Sequence, residues 1–232
     1  MEVRLTPDDG ATRVSTTTPM NCNMSHPRRQ LAMIAAATTL IAVTWIAPLY
    51  PREQWLQHAA TIPLLVAAVV AARRRWLSDA AIACCLAFLL LHALAARWIY
   101  SYVPYETWCD AAFGSGPAEW FGWRRNHFDR LVHVAFGVLL TPPLRELAQR
   151  AGLRPVAACA TAWLTVAGAS ACYEVFEWLL AVVAAPEMAE RYNGQQGDPW
   201  DAQKDMALAM AGSTAVLAWY ALRAKIKRQR HP

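Results

Sequence analysis

The chain has 232 residues, 56% of them hydrophobic and 17% charged, with a mean hydropathy of +0.18 and a formal net charge of +5. Ordinary soluble domains are about 45–50% apolar, so this composition excludes one and indicates an all-helical integral membrane protein. The basic excess is scattered over three loops and a tail, which argues against nucleic acid as a partner.

In chain order, residues 1–28 come first and are polar. They carry Asp8-Asp9-Gly10 and Ser15-Thr16-Thr17-Thr18-Pro19 without any periodicity, and read as a disordered extension. No apolar core follows a basic start, so this is not the pattern of a signal peptide. Residues 29–225 read as a six-helix transmembrane domain, and residues 226–232 as a basic cytoplasmic tail. The six apolar segments are residues 31–50, 56–72, 80–100, 131–147, 156–185 and 206–222. About 20 residues are needed to cross a bilayer, so the second and last are short. The fourth contains Pro142-Pro143. Helices are expected because every backbone polar group in lipid must be satisfied within its own segment or in a closed barrel. No alternating ten-residue pattern suggests a barrel.

Orientation follows from Lys and Arg. The side holding the N-terminus receives Arg28-Arg29, Arg73-Arg74-Arg75, Arg145, Arg150, Arg154 and the C-terminal run from Arg223. With Arg4 and Arg13 that is 15 of the 22 basic residues. The other side receives 12 of the 17 acidic residues. Both termini are therefore expected in the cytoplasm. Trp45, Trp55, Trp98, Trp108, Trp120, Trp123 and Trp200 fall toward the outer side, as interfacial anchors would. The six cysteines include no CxxC pair, which argues against a thiolate metal site.

Three polar clusters interrupt this apolar background. Asp129 and His133 open the fourth segment, four residues apart and so on one helical face. Glu174 and Glu177 lie within the fifth, three residues apart. At 1.5 Å per residue, a ~30 Å core entered near Val156 has its outer boundary near residue 176, so both glutamates sit close to the outer interface. Asp198, Asp201 and Asp205 share one face at the outer start of the sixth. Arg145 falls ~24 Å below Asp129 by helix rise and belongs to the inner side. Three segments thus bring seven ionisable groups to one depth. Carboxylates inside a span are costly, and two on one turn need a cation or a shared proton. Arg97, Arg130 and a bound metal are the available cations.

These residues define a candidate site. Asp129, His133, Glu174, Glu177, Asp201 and Asp205 are the candidate catalytic groups. His133, Glu174, Glu177 and Asp205 form the candidate ligand set for a divalent metal, since one imidazole with several carboxylates suits Zn²⁺, Mn²⁺, Fe²⁺ or Mg²⁺. Arg97, Arg130, Gln196, Asp198 and Trp200 are the candidate substrate-binding groups. Three functions fit: a metal-assisted enzyme on a lipid, envelope or small-molecule substrate; a transporter or small-molecule binder; and an accessory protein whose polar cluster locks its helices. Simpler roles exist for single residues. Asp198 and Asp201 suit a helix start, with Asp198 as cap and Pro199 at the first position. Asp129–Arg130 suits an interfacial ion pair, and His92 a hydrogen bond between helices.

Three stretches carry a resemblance: Arg125-Asn126-His127-Phe128-Asp129-Arg130-Leu131-Val132-His133, Tyr173-Glu174-Val175-Phe176-Glu177-Trp178, and Gln196-Gly197-Asp198-Pro199-Trp200-Asp201-Ala202-Gln203-Lys204-Asp205-Met206. With Arg145-Glu146 they occur in order over roughly residues 30–225. The chain resembles the YjdF-like family of bacterial inner-membrane proteins, which implies a multi-pass membrane protein without an assigned activity. It departs from the family's usual reading at Asn193-Gly194-Gln195. The stretch Asp129–His133 is also similar to a short element of VanZ-like membrane proteins, which implies a role in the cell envelope.

Overall fold

A computed structural model describes residues 26–183 and 196–230. The first 25 residues of the expected N-terminal extension, the last two of the fifth apolar segment and the stretch Asn193-Gly194-Gln195 lie outside it. The helices are α1 (Pro27–Val43), α2 (Pro51–Gln57) continued through a 3₁₀ turn into α3 (Thr61–Arg73), α4 (Asp79–Arg97), α5 (Tyr105–Phe113), α6 (Pro117–Phe121), α7 (Phe128–Arg150), α8 (Pro155–Val183) and α9 (Asp201–Arg230). The basic residues expected in a tail continue α9, and α1 already begins at Pro27.

Local chemistry sets the ends. Pro27, Pro51 and Pro117 sit at helix starts, where a missing N–H costs nothing. Ser78 caps α4 by accepting the N–H of Ala81 at 3.2 Å. Gly152, at φ 91°, ends α7, and Leu153 N–H returns to the Ala148 carbonyl at 3.1 Å. Pro155 then opens α8. Pro142 and Pro143 lie inside α7 without ending it.

Among the described residues, five helical stretches are long and apolar enough to cross a membrane: Pro51–Arg73, Asp79–Arg97, Phe128–Arg150, Pro155–Val183 and Asp201–Gln229. The expected segment at residues 31–50 is a shorter helix, since α1 has 17 residues and leaves the helix at Thr44. It nevertheless runs beside α4 from end to end. Gln30 Nε2 donates to the Leu77 carbonyl (3.0 Å) and to Asp79 (2.8 Å) at the start of α4. Arg97, at the end of α4, donates to the carbonyls of Thr44 (2.7 Å) and Ile46 (2.9 Å) just past α1. An apolar core of Ile34, Ile41, Ala68, Ile82 and Leu86 joins α1, α3 and α4.

Helices α7 and α9 lie side by side and run in the same direction. Thr141 Oγ1 donates to Ser213 Oγ at 2.7 Å in the buried seam, and the Arg145 guanidinium sits 4.7 Å over the Tyr220 ring near their far ends. Their backbones touch. A Cβ on Gly137 would lie 2.0 Å from the Ala209 carbonyl oxygen, and one on Gly212 would lie 2.5 Å from that of Val134. Small residues permit such close approach between membrane helices. Helix α8 packs on both and runs opposite to α9, with Trp163 Nε1 donating to Thr214 at 2.9 Å. At the far end of α7, Glu146 accepts from the backbone N–H (2.6 Å) and hydroxyl (2.9 Å) of Ser78. This ties α7 to the start of α4.

Candidate functional site

The site lies where α7 and α9 begin and α8 nears its end. Loop 122–127 leads into it and is pinned on several sides. Asn126 Nδ2 donates to the Val103 carbonyl (2.8 Å), and His127 N–H donates to Tyr105 Oη (3.0 Å). Asn126 N–H donates to Gln196 Oε1 (2.9 Å), and Gln196 Nε2 donates back to the Asn126 carbonyl (3.1 Å). Asn126 Oδ1 accepts the Phe128 N–H at 3.0 Å, which serves one orphan donor at the start of α7.

This pinning delivers Arg125 into a set of carboxylates. Its guanidinium lies 2.6 Å from Asp201 Oδ1, 3.0 Å from Asp129 Oδ2 and 3.6 Å from Asp198 Oδ2. Arg130 lies 2.6 Å from Asp198 Oδ2 and 3.2 Å from Asp201 Oδ1, and Lys204 Nζ lies 2.6 Å from Asp198 Oδ2. Asp129, Asp198 and Asp201 are thus matched by Arg125, Arg130 and Lys204. The hydrogen bond from Lys204, with those from the Trp200 N–H and Arg130, holds the Asp198 carboxyl at about 2, ionised throughout the physiological range. Burial, with Arg130 and Arg125 beside it, pushes His127 below its ordinary value. A neutral His127 accepts from Arg130 through Nδ1 at 3.2 Å.

One helical turn deeper the balance changes. His133 Nε2 lies 3.8 Å from Glu174 Oε1 and 4.0 Å from Asp205 Oδ2. These gaps exceed hydrogen-bond length. Ligand bonds of about 2.0–2.6 Å to one ion place ligand atoms roughly 3–4 Å apart, which matches them. One ligand atom from each of His133, Glu174 and Asp205 lies within 4.8 Å of the others, and the same holds for Asp129, Asp201 and Asp205. The two sets are not equivalent. Asp129 and Asp201 form ion pairs with arginines, whereas among the described residues the ion-pair partner of Glu174 and Asp205 is His133. Glu174 and Asp205 are 8% and 5% exposed, and Glu174 Oε1 and Asp205 Oδ1 are buried without a hydrogen-bond partner among the described residues. Such atoms are expensive unless a ligand completes them.

The expected site residues therefore separate into groups. His133, Glu174 and Asp205 come together, and Glu177 lines a small polar cavity with Asp129, His133 and Asp205. Arg130 and Asp198 join the adjoining salt-bridge network. The expected Asp129–Arg130 pair does not form between side chains, because neighbours on a helix point about 100° apart. Asp129 pairs with Arg125, and its Oδ1 accepts the Arg130 backbone N–H at 2.7 Å. Arg97 is spent on the carbonyls past α1, Gln196 clamps Asn126, and Trp200 is 63% exposed. Asp198 behaves as a turn cap through Trp200 N–H at 3.1 Å, although α9 begins only at Asp201.

Arg125 and Tyr100 carry more of the site than their sequence positions suggest. Arg125 stands four residues before Asp129, a spacing that signals a pair only if the loop before α7 coils toward the helix face. Tyr100 follows α4, where Ile99 (φ 41°) and Tyr100 (φ 58°) take left-handed backbone without glycine. That conformation costs about 1–3 kcal/mol per residue and persists only where surroundings enforce it. It turns the Tyr100 hydroxyl back onto His92 Nδ1. His92 Nε2 meets the Gln57 carbonyl at 3.1 Å, so His92 makes the hydrogen bond between helices expected of it.

The model of a family described as "Predicted membrane protein (DUF2238)" matches residues 29–225. The chain is 28% identical over 197 residues to "Inner membrane protein YjdF" of Escherichia coli (strain K12), covering 81% of this chain and 87% of that protein. No solved structure matches.

Proposed function

Since the chain belongs to the DUF2238 family of predicted membrane proteins, we propose that it is a multi-pass inner-membrane protein whose His133, Glu174 and Asp205 hold a divalent cation for a metal-assisted reaction at the periplasmic face. The observation that carries this reading is the pair of buried carboxylate oxygens on Glu174 and Asp205 that have no hydrogen-bond partner among the described residues. Of the cations the sequence offers, Arg97 is bound to carbonyls just past α1 and Arg130 to Asp198 and Asp201. A divalent ion completes the remaining set and supplies Lewis acidity and an ionised water at neutral pH. Glu177, in the same polar cavity, is the group positioned to take or give a proton there. Arg125, Arg130 and Lys204 with their three aspartates form the lock beside it.

α1 is the sixth crossing in this reading, because it spans the same depth as α4. The end holding Arg29, Arg73 and Arg145 then faces the cytoplasm, and the site faces outward. Reporter fusions after Arg75 and Arg154 should behave as cytoplasmic, and fusions within residues 115–123 as periplasmic. The reverse pattern would place the site on the other face.

The cation itself is tested by metal content. The purified protein, loaded with Zn²⁺ or Mn²⁺ and desalted, should retain close to one ion per chain by elemental mass spectrometry. Glu174→Gln and Asp205→Asn should each lower that content at least about tenfold, the scale on which even supporting residues of metal sites act. Asp198→Asn should retain the ion. An unchanged ion content in both ligand variants, with a fall in stability instead, would make the cluster a structural lock.

A further inference from the structure

Two cavities meet at His133. The polar one has Asp129, Glu177, Asp205 and Gln57 on its walls. The other is apolar, about 180 Å³ in volume, and lies between α3, α4, α7 and α8. Tyr100, His133 and Tyr173 line both, so the apolar chamber ends at the proposed cation site. Its inner wall is Phe88, Leu89, Val132 and Phe136. Ala60, Leu64 and Ala169 also line it and are exposed on the outer surface of helical stretches that are, or adjoin, candidate membrane spans. The chamber therefore opens sideways into the membrane and closes on the polar groups.

Its junction is rigidly built. His92 bridges Tyr100 Oη and the Gln57 carbonyl, and Tyr173 Oη donates to Gln57 Oε1 at 3.2 Å. Gln57 is 4% exposed, and its Nε2 donor has no hydrogen-bond partner among the described residues although Gln57 borders the polar cavity. A free amide donor beside a cation calls for an oxygen acceptor. A dry apolar cavity of about 150 Å³ holds a benzene molecule, so this chamber has room for a stretch of hydrocarbon. A water-soluble substrate would leave it empty at a cost in lost contacts.

From this we infer that the site takes a single-chain amphiphile directly from the bilayer. Its hydrocarbon chain fills the α3–α8 chamber, and its acidic oxygen head, phosphoryl or carboxyl, lies at His133 within reach of Gln57. The head's placement rests on the cation reading above; the chain's placement rests on the chamber alone.

Photolabelling tests it. The full chain, loaded with Mn²⁺ in phosphatidylcholine vesicles, is irradiated with an alkyl phosphate carrying a diazirine on its chain. The matching alkyl carboxylate and alkyl glucoside are run in parallel. Adducts should map to chamber residues such as Phe88 and Phe136, with both acidic probes exceeding the glucoside. Stronger labelling by the phosphate identifies a lipid monophosphate, and stronger labelling by the carboxylate a fatty acid. Ala169→Leu and Ala60→Leu, on different helices, should each cut chamber labelling about tenfold, the effect of excluding two methylenes. Mn²⁺ content should not change in either. Equal labelling by the neutral glucoside in a chain that retains Mn²⁺, or labelling indifferent to both fillers, overturns the inference. Glu174→Gln should abolish the preference for acidic heads while chain labelling persists. Retained Mn²⁺ without chamber labelling defeats this inference alone, and chamber labelling in a chain that holds no ion defeats the cation reading alone.

Discussion

Replacing Gly137 with alanine is expected to destabilise the protein by about 3 kcal/mol, the upper part of the usual range for overpacking. The added methyl would sit 2.0 Å from the Ala209 carbonyl oxygen and 2.8 Å from the Ser213 nitrogen. Both are backbone atoms of a helix, so no rotamer change relieves the clash and α7 must move away from α9. By the scaling for domains of this size the loss is roughly 6–12 °C in Tm, read by thermal unfolding in detergent. Separation should also reduce cation retention, because Asp129 and His133 on α7 face Asp201 and Asp205 on α9 across this seam. Gly168→Ala is the control. A Cβ there meets nothing within 4 Å, and alanine is the better helix former by up to about 1 kcal/mol. If the two variants melted together, the close α7–α9 contact at Gly137 would be disproved.

Arg125→Ala is expected to cost about 3 kcal/mol, the low end of the range for removing one partner from a buried ion pair. The low end applies because Arg130 still reaches Asp201. Among the described residues Asp129 has no second cation in its ion pairs, and it is 7% exposed, so it bears most of the loss. Arg125→Lys should rescue little. One ammonium group cannot serve Asp201 through one nitrogen and Asp129 through another, as the planar guanidinium does at 2.6 and 3.0 Å. Adding Asp129→Asn to Arg125→Ala should recover part of the stability, since it removes the stranded charge. Additive losses in that double variant would show that the two residues do not interact.

Part of this site was legible in the sequence and part was not. Helical period is local, so Asp129 with His133, Glu174 with Glu177, and Asp201 with Asp205 could be placed on common faces and at a common depth from spacing alone. The membrane class followed from composition. The length of the first helix did not, because apolar character continues past Val43 into Trp45 and Ile46 while the helix stops at Thr44.

Partner choice among the charges was decided only in three dimensions. The sequence offered Arg97 and Arg130 as counterions for the buried glutamates. Rotation and register between helices sent Arg97 to α1, gave Arg130 to Asp198 and Asp201, and brought Arg125 in from a loop. Register depends on where backbones can approach, here at Gly137 and Gly212, and those contacts join residues about 70 positions apart in the chain. The chamber beside His133 has the same origin: four helices enclose it, and no one of them carries its pattern. Sequence therefore determined the helical membrane class and which faces of α7, α8 and α9 carry the polar residues. Tertiary packing determined which carboxylates pair with arginines and which lie beside His133, because pairing energy falls off over a few ångströms and only the assembled seam fixes distances on that scale.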